Sequence, residues 1–240
     1  MIAILLNSGV GSRMGLLTAD SPKAMVELEP GVTILSRQLS LLRAAGIREF
    51  VITTGFAAEK LQAHAQSCCP DQGLRFIHNE RYRETNYIVS LQRAIEATRD
   101  DVVLLHGDLV FSAKALGLLL GTPGSVVAVD AAAPLPPKDF KARLAPDGRV
   151  KQIGVDVAGT GCVACQPLYK LTKEDWRLWT DAIEAFCQRG DQRVYAENAL
   201  NTVTDRLNLR AVDMAGALCM EVDNEEDLAV ARQALSKEKP

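Results

Sequence analysis

A doubly wound α/β domain with a mostly parallel sheet is the fold predicted by three features of this 240-residue chain. The apolar run over residues 2–6 breaks into a glycine-rich turn, as a buried strand does when it hands over to a loop whose backbone amides face a ligand. Short apolar runs then alternate with segments of helical period, the order expected of βαβ units. Two of those runs, 102–105 and 125–129, are continuously apolar, as strands covered on both faces are.

The elements follow in order. Residues 34–45 read as an amphipathic helix, with Leu35, Leu39 and Leu42 on one face and Gly46 as its stop. Residues 49–54 read as a strand ending at Gly55, and 74–78 as another. Residues 87–97 form a predicted helix with Ile88, Leu91 and Ile95 on one side. Between 131 and 153 the pattern breaks into prolines and charges, so 131–165 is expected to be a small insertion over the site, with acceptor contacts, inside one domain spanning 1–240. Residues 176–189 and 196–207 read as helices and 218–222 as a strand, and Asn224 caps a final helix with Asp227 three residues on.

Composition excludes several classes. Hydrophobic residues make up 48% of the chain, enough for a substantial core. No apolar stretch reaches the roughly 18 residues of a membrane span. The first apolar run has no basic flank and no cleavage site, so it reads as a core strand and not a signal peptide. A net charge of −3 without basic runs argues against nucleic acid as a partner. Six cysteines include the pair Cys162 and Cys165, but no second Cys/His pair at zinc spacing accompanies it. Small buried thiols of a cytoplasmic protein are the expectation, with a redox pair as the alternative.

The first loop points to phosphate. In Asn7-Ser8-Gly9-Val10-Gly11-Ser12-Arg13-Met14-Gly15 the glycines let backbone approach an anion, and Arg13 and Lys23 of Pro22-Lys23 add charge. The P-loop pattern fails because no lysine follows a glycine here. The dinucleotide fingerprint fails because Gly9, Gly11 and Gly15 are one residue too widely spaced, and the segment after Gly15 reads as loop. Gly107-Asp108 and Asp223 stand just past predicted strands, where ligands of such sheets bind, and paired carboxylates are suited to Mg²⁺ on a nucleotide. A turn-forming Asp and a helix-capping Asp are the plainer readings of those two positions.

The loop, together with Ser21-Pro22-Lys23-Ala24-Met25, resembles the signature of nucleotidyltransferases with a GT-A-like, Rossmann-like fold. Within them it is most similar to the cytidylyltransferases that activate phosphocholine and phosphonates such as 2-aminoethylphosphonate. The resemblance extends to His106-Gly107-Asp108-Leu109-Val110-Phe111, to the segment from Cys219 to Leu228, to the segment from Asn79 to Leu91, and to Tyr195–Asn201. The resemblance implies a role for each matched residue. Asn7, Ser8, Gly9, Val10, Gly11, Ser12, Thr54, Asn86, Ser90 and Gly107 would bind the nucleotide, Asn86 and Ser90 near the pyrimidine. Arg13 and Lys23 would act on the phosphates. Asp108 and Asp223 would hold Mg²⁺. Lys138, Lys141, Tyr195 and Glu197 would lie at the acceptor. A homodimer is also implied.

Two departures stand out. Many relatives carry a lysine after an Ile-Gly pair where this chain has Ile153-Gly154-Val155, leaving Lys138, Lys141 or Lys151 as substitutes. A C-terminal tryptophan is replaced by Cys219. With aromatic residues at 5%, a small or anionic phosphonate or phosphate is favoured over choline as acceptor. The expected reaction is CMP transfer from CTP, with a sugar-1-phosphate nucleotidyltransferase and a non-catalytic nucleotide-binding regulator as alternatives.

Overall fold

The computed structural model describes residues 1–70 and 73–238. Its elements in chain order are β1 (Ile2–Asn7), β2 (Glu27–Glu29), β3 (Val32–Thr33), α1 (Ile34–Ala44), β4 (Glu49–Thr54), α2 (Ala58–Cys68), β5 (Gly73–His78), α3 (Tyr87–Ala94), β6 (Val102–His106), β7 (Leu109–Phe111), α4 (Ala113–Gly121) and β8 (Ser125–Asp130). Beyond these come β9 (Lys141–Leu144), β10 (Val150–Gly154), β11 (Cys162–Leu171), α5 (Lys173–Gln188), α6 (Ala196–Leu200), β12 (Leu209–Asp213), β13 (Cys219–Glu221) and α7 (Glu225–Glu238).

The expected doubly wound sheet is present. Strands β6, β1, β4 and β5 lie side by side and parallel, and β12 joins β8 in parallel. The other half is organised antiparallel around the long strand β11, which pairs with β6, β8 and β9. Alternating residues of each parallel strand feed two cores. Ala3, Leu5, Phe50, Ile52, Val103 and Leu105 pack with α1, α2 and α4, and Ile2, Ile4, Leu6, Val102 and Leu104 pack with α3, α5 and α6. Burial on both faces is why these runs carry no polar alternation. A third cluster seats α7, through Leu228 and Leu235, on Val26, Leu28 and Val110.

Local chemistry sets the helix starts. Thr33 and Ser36 form a reciprocal capping box on α1, and Ser112 and Thr172 cap α4 and α5. Asn224 Oδ1 accepts from Asp227 N at 2.9 Å while Asp227 Oδ2 accepts from Asn224 N at 3.2 Å, the cap read from the sequence.

Several elements differ from the sequence reading. The helix expected over 196–207 stops at Leu200 and continues as turns. Asn201 turns its side chain to the backbone of Ile153 (2.8 and 2.7 Å), and the Thr202 hydroxyl bonds back to Ala199 O at 2.7 Å. Both groups compete with the helical ladder. The segment after Gly15, expected as loop, begins with the end of a 3₁₀ stretch, Ser12–Thr18, kinked at Gly15 (φ 55°, ψ −125°), and is irregular from Ala19 to Pro22. In the proline-rich region, the loop at 131–140 is followed by the β9–β10 hairpin, which extends the sheet beyond β11 and buries Ala142 and Ile153. Cys162 and Cys165 both lie on β11, three apart. On a strand that offset points them to opposite faces about 10 Å apart, too far for a disulfide. All six cysteines are free.

Candidate active site

Parallel pairing of β1 and β6 sets Leu6 opposite His106, so the two loops that leave these strands start from the same edge of the sheet. Gly107 N donates to Leu6 O at 3.0 Å and brings the chain against Asn7. Next, β7 pairs antiparallel with β13, and Val222 N donates to Asp108 O at 3.0 Å. Asp223 is thereby delivered beside Asp108.

Four charged side chains meet there. Lys23 Nζ lies 2.8 Å from Asp108 Oδ2 and also bonds Asp223 Oδ1, and Arg13 lies 2.7 Å from Asp223 Oδ2. Burial works against the Lys23 ammonium, yet Asp108 and Asp223 beside it hold its pKa above the ordinary lysine value. Burial likewise raises the Asp108 carboxyl, but the charge of Lys23 prevails and lowers it. Gly11, at φ 67°, closes the loop onto Lys23, whose Cβ would stand 3.0 Å from a Cβ at position 11.

Three recesses converge on Asp108. The largest, about 660 Å³, is lined by Ser8, Gly9, Asn79, Tyr82, Arg83, Asn86, Ser90 and Arg193 among others. Its floor is tied together by side chains: Asn79 Nδ2 donates to Ser90 Oγ and Thr85 Oγ1 (both 3.1 Å), and Ser90 and Ser8 hydroxyls lie 3.0 Å apart. The second, about 180 Å³, is lined by Asn7, Gly9, Gly11, Arg13, Lys23, Gly107 and Asp108. The third, about 220 Å³, is walled by Tyr87, His106, Phe140 and Tyr195, with Lys138, Asp139, Glu221 and Asp223 at its polar side. Its rings touch edge to face, with centroids 4.8 Å (Tyr87–His106) and 5.2 Å (Phe140–Tyr195) apart.

Beneath this wall lies a buried polar layer. His106 Nδ1 is 3.1 Å from Glu221 Oε1. Burial disfavours the imidazolium, but the Glu221 carboxylate more than offsets it and pushes His106 up to about 9. Tyr87 and Tyr169 both donate to Glu197, and burial, together with that carboxylate's charge, raises both phenols.

The residues expected at the site fall into three groups. Asn7, Ser8, Gly9, Gly11, Arg13, Lys23, Asn86, Ser90, Gly107, Asp108, Lys138, Tyr195 and Asp223 line one or another recess. Val10 lines none of the three, and Thr54 is fully buried against His78 Nδ1 at 3.2 Å. Lys141 is 6% exposed and donates to Pro136 O, and Glu197 is 1% exposed beneath Tyr87, so neither carries charge into the open space. The Ser12 side chain lies outside the described residues.

Sequence reasoning missed Tyr82, Arg83, Arg193, Asp139, Phe140, His106 and Glu221 as site residues. His106 and Glu221 sit inside motifs that carry the resemblance, one position before Gly107 and two before Asp223, and that adjacency was the available signal. Arg193 and Phe140 had none.

A divalent cation fits this donor set. Asp108 Oδ1 is buried with no hydrogen-bond partner among the described residues, and Asp108 Oδ2 and Asp223 Oδ1 meet at the Lys23 ammonium. His106, Asp108 and Glu221 also offer donor atoms within 4.8 Å of one another. Carboxylate oxygens are what Mg²⁺ takes.

Comparisons with known proteins bear on the fold and the family. The CMP-5'-(3-aminopropyl)phosphonate synthase of Streptomyces rubellomurinus is 32% identical over 135 residues, 56% of this chain and 21% of that protein. The choline-phosphate cytidylyltransferase of Haemophilus influenzae is 34% identical over 104 residues, 43% of this chain and 42% of that one. The aligned part thus spans a fifth to under half of these relatives. The solved CTP:phosphocholine cytidylyltransferase from Streptococcus pneumoniae superposes with a TM-score of 0.80 at 18% identity, covering 98% of this chain and 99% of that one. The inositol-1-phosphate CTP transferase from T. maritima does so with 0.80 at 18%, covering 99% and 96%. These superpositions show the fold. Residues 3–201 match one family description throughout, and the chain belongs to the MobA-like NTP transferase domain family.

Proposed function

We propose that the protein transfers CMP from CTP to a small acceptor bearing a phosphonate or phosphate, releasing pyrophosphate. The observation that carries this is the meeting of three recesses at Asp108, the smallest bearing Lys23, Arg13 and Asp108, with Asp223 paired to both cations from the aromatic recess beside it. The large recess suits a nucleoside, the glycine-rich one its phosphates, and the aromatic one an acceptor.

An acceptor oxygen, already anionic near neutral pH, attacks the α-phosphorus in line. The new P–O bond forms as the α–β bridging bond breaks, and pyrophosphate leaves with the electron pair. No dedicated base is needed, so the protein positions the reactants and stabilises charge. Lys23 offsets charge on the α-phosphoryl group, and Arg13 with the backbone of 9–12 holds the outer phosphates. Asp108 and Asp223 are the residues that would hold Mg²⁺, whose chemistry there is to neutralise the triphosphate. Lys23 must then exchange its carboxylate partners for phosphate oxygens.

One observation narrows the acceptor. Low aromatic content argued against choline, yet Tyr87, Phe140 and Tyr195 are gathered on one wall with Glu221 and Asp139 nearby. Ring faces beside carboxylates are a setting for an ammonium group. Arg13, Lys138 and His106 line the same recess as these carboxylates, so it suits an acceptor that carries both an anionic phosphonate or phosphate and an ammonium group.

The test is pyrophosphate release with Mg²⁺, crossing the four nucleoside triphosphates with 2-aminoethylphosphonate, 2-hydroxyethylphosphonate, phosphonoformate, phosphocholine and glucose 1-phosphate. Release with CTP and an ammonium-bearing acceptor is expected. Release with glucose 1-phosphate alone would move the chain to the sugar-phosphate enzymes, and silence in protein that binds CTP would make it a regulator.

A further inference from the structure

Asn7 ends β1 and is 6% exposed, yet its carboxamide Nδ2 has no hydrogen-bond partner among the described residues. A buried donor left unpaired is costly, and it is retained where a ligand completes it. Asn7 lines the same small recess as Lys23 and Asp108. Asp108 Oδ1, an acceptor in the same condition, stands one residue beyond Gly107, and Gly107 packs directly on Asn7. The recess is thus lined by two residues that each keep one buried polar atom unmet among the described residues, a donor on Asn7 and an anionic acceptor on Asp108. A phosphoryl oxygen answers the first and the cation it carries answers the second.

Height in the sheet selects which phosphate. Asn7 sits at the last rung of β1, level with Gly107 and below the loop 9–13. In the proposed function the outer phosphates would lie on that loop and Arg13, and the reacting group beside Asp108 and Lys23, on the level of Asn7.

We propose that Asn7 is a catalytic residue of the nucleotidyl transfer, its Nδ2–H donating to a non-bridging oxygen of the α-phosphoryl group as charge grows there. The assignment rests on the proposed function. Lys23 supplies a mobile charge from one side, and Asn7 supplies a fixed dipole from the floor, already desolvated before substrate arrives.

The experiment compares wild type with Asn7→Ala and the isosteric Asn7→Asp, using CTP and the acceptor that works best, and then the two diastereomers of α-thio-CTP. Losing one preorganised donor of this kind lowers kcat about 10²- to 10³-fold. Asn7→Ala is expected to do so with KM for CTP changed less than about threefold, and Asn7→Asp to lose more by turning an anion toward the phosphates. Sulfur at the accepting oxygen mimics the loss, so wild type should discriminate between the diastereomers and Asn7→Ala should forfeit about tenfold of that discrimination, one hydrogen bond's worth. An active wild type with Asn7→Ala within threefold in kcat, or with undiminished thio discrimination, overturns this assignment alone. A wild type releasing no pyrophosphate from any pairing overturns the underlying reading and the assignment with it.

Discussion

Gly107 lies so close to Asn7 that a Cβ at position 107 would stand 1.8 Å from Asn7 Oδ1 and 2.7 Å from Leu6 O. No side-chain adjustment relieves the second contact, because it is backbone. Gly107→Ala is expected to shift the ends of β1 and β6, costing about 1–3 kcal/mol of stability as overpacking does. Moving the reacting groups by an ångström should cost about 10²-fold in kcat. Thermal denaturation and steady-state rates check both, and a variant unchanged in the two contradicts the close packing.

Lys23 is the hub of the charge cluster, bonded to two carboxylates that stand 85 and 200 residues further along the chain. Lys23→Ala should lower activity by about 10³ or more, the scale of a cation on a transferring phosphoryl group, while the protein stays folded. Circular dichroism with single-turnover rates is the check. A variant within tenfold of wild type removes Lys23 from the chemistry.

Asp108→Asn and Asp223→Asn each take one anionic ligand from the proposed cation. Both should need far more Mg²⁺ for half-maximal activity, and EDTA should silence wild type until Mg²⁺ is restored. A magnesium titration in which either variant tracks wild type would assign that carboxylate to its protein cations, Lys23 for Asp108 and Lys23 with Arg13 for Asp223.

Tyr195, 38% exposed, lines the aromatic recess and packs on Phe140 and Tyr87. If it faces an ammonium, Tyr195→Ala should raise KM for an amine-bearing acceptor about threefold to thirtyfold, the span of cation–π interactions. KM for CTP should hold. Equal rises for aminoethyl and hydroxyethyl phosphonates would mean that the ring packs without sensing charge.

Burial raises the Cys165 thiol well above the ordinary value, and Cys219 is raised for the same reason. Both should resist iodoacetamide at pH 8 in native protein and react once it is unfolded. Mass spectrometry of the labelled peptides checks this. Rapid native labelling of Cys165 would reopen the redox reading of the pair.

The elements legible in the sequence were those decided by short-range chemistry. Residues 102–105 carry a run that a strand covered on both faces explains, 49–54 read as a strand ended by Gly55, and α1 advertised its stop at Gly46. The 196–207 helix was misjudged because its end is set by Asn201 reaching Ile153, 48 positions away. The β9–β10 hairpin looked like an excursion because its prolines precede it and its partner, β11, lies beyond it in the chain. The same division holds in the site. Lys23, Asp108 and Asp223 were legible because glycine, proline or a strand end marks each. Phe140 and Arg193 join the site through tertiary packing alone, and no local pattern announces that.

The placing of Asp223 has a consequence for assembly. It reaches Asp108 only after β13 has paired with β7, a closure spanning more than a hundred residues. Contacts of such separation form late, since the chain entropy of the loop must be surrendered first. A partly folded chain with its parallel strands already aligned would hold the glycine loop and half the carboxylates, and could not turn over. Competence to react is therefore expected only once this long closure has formed, as a seal on the finished fold.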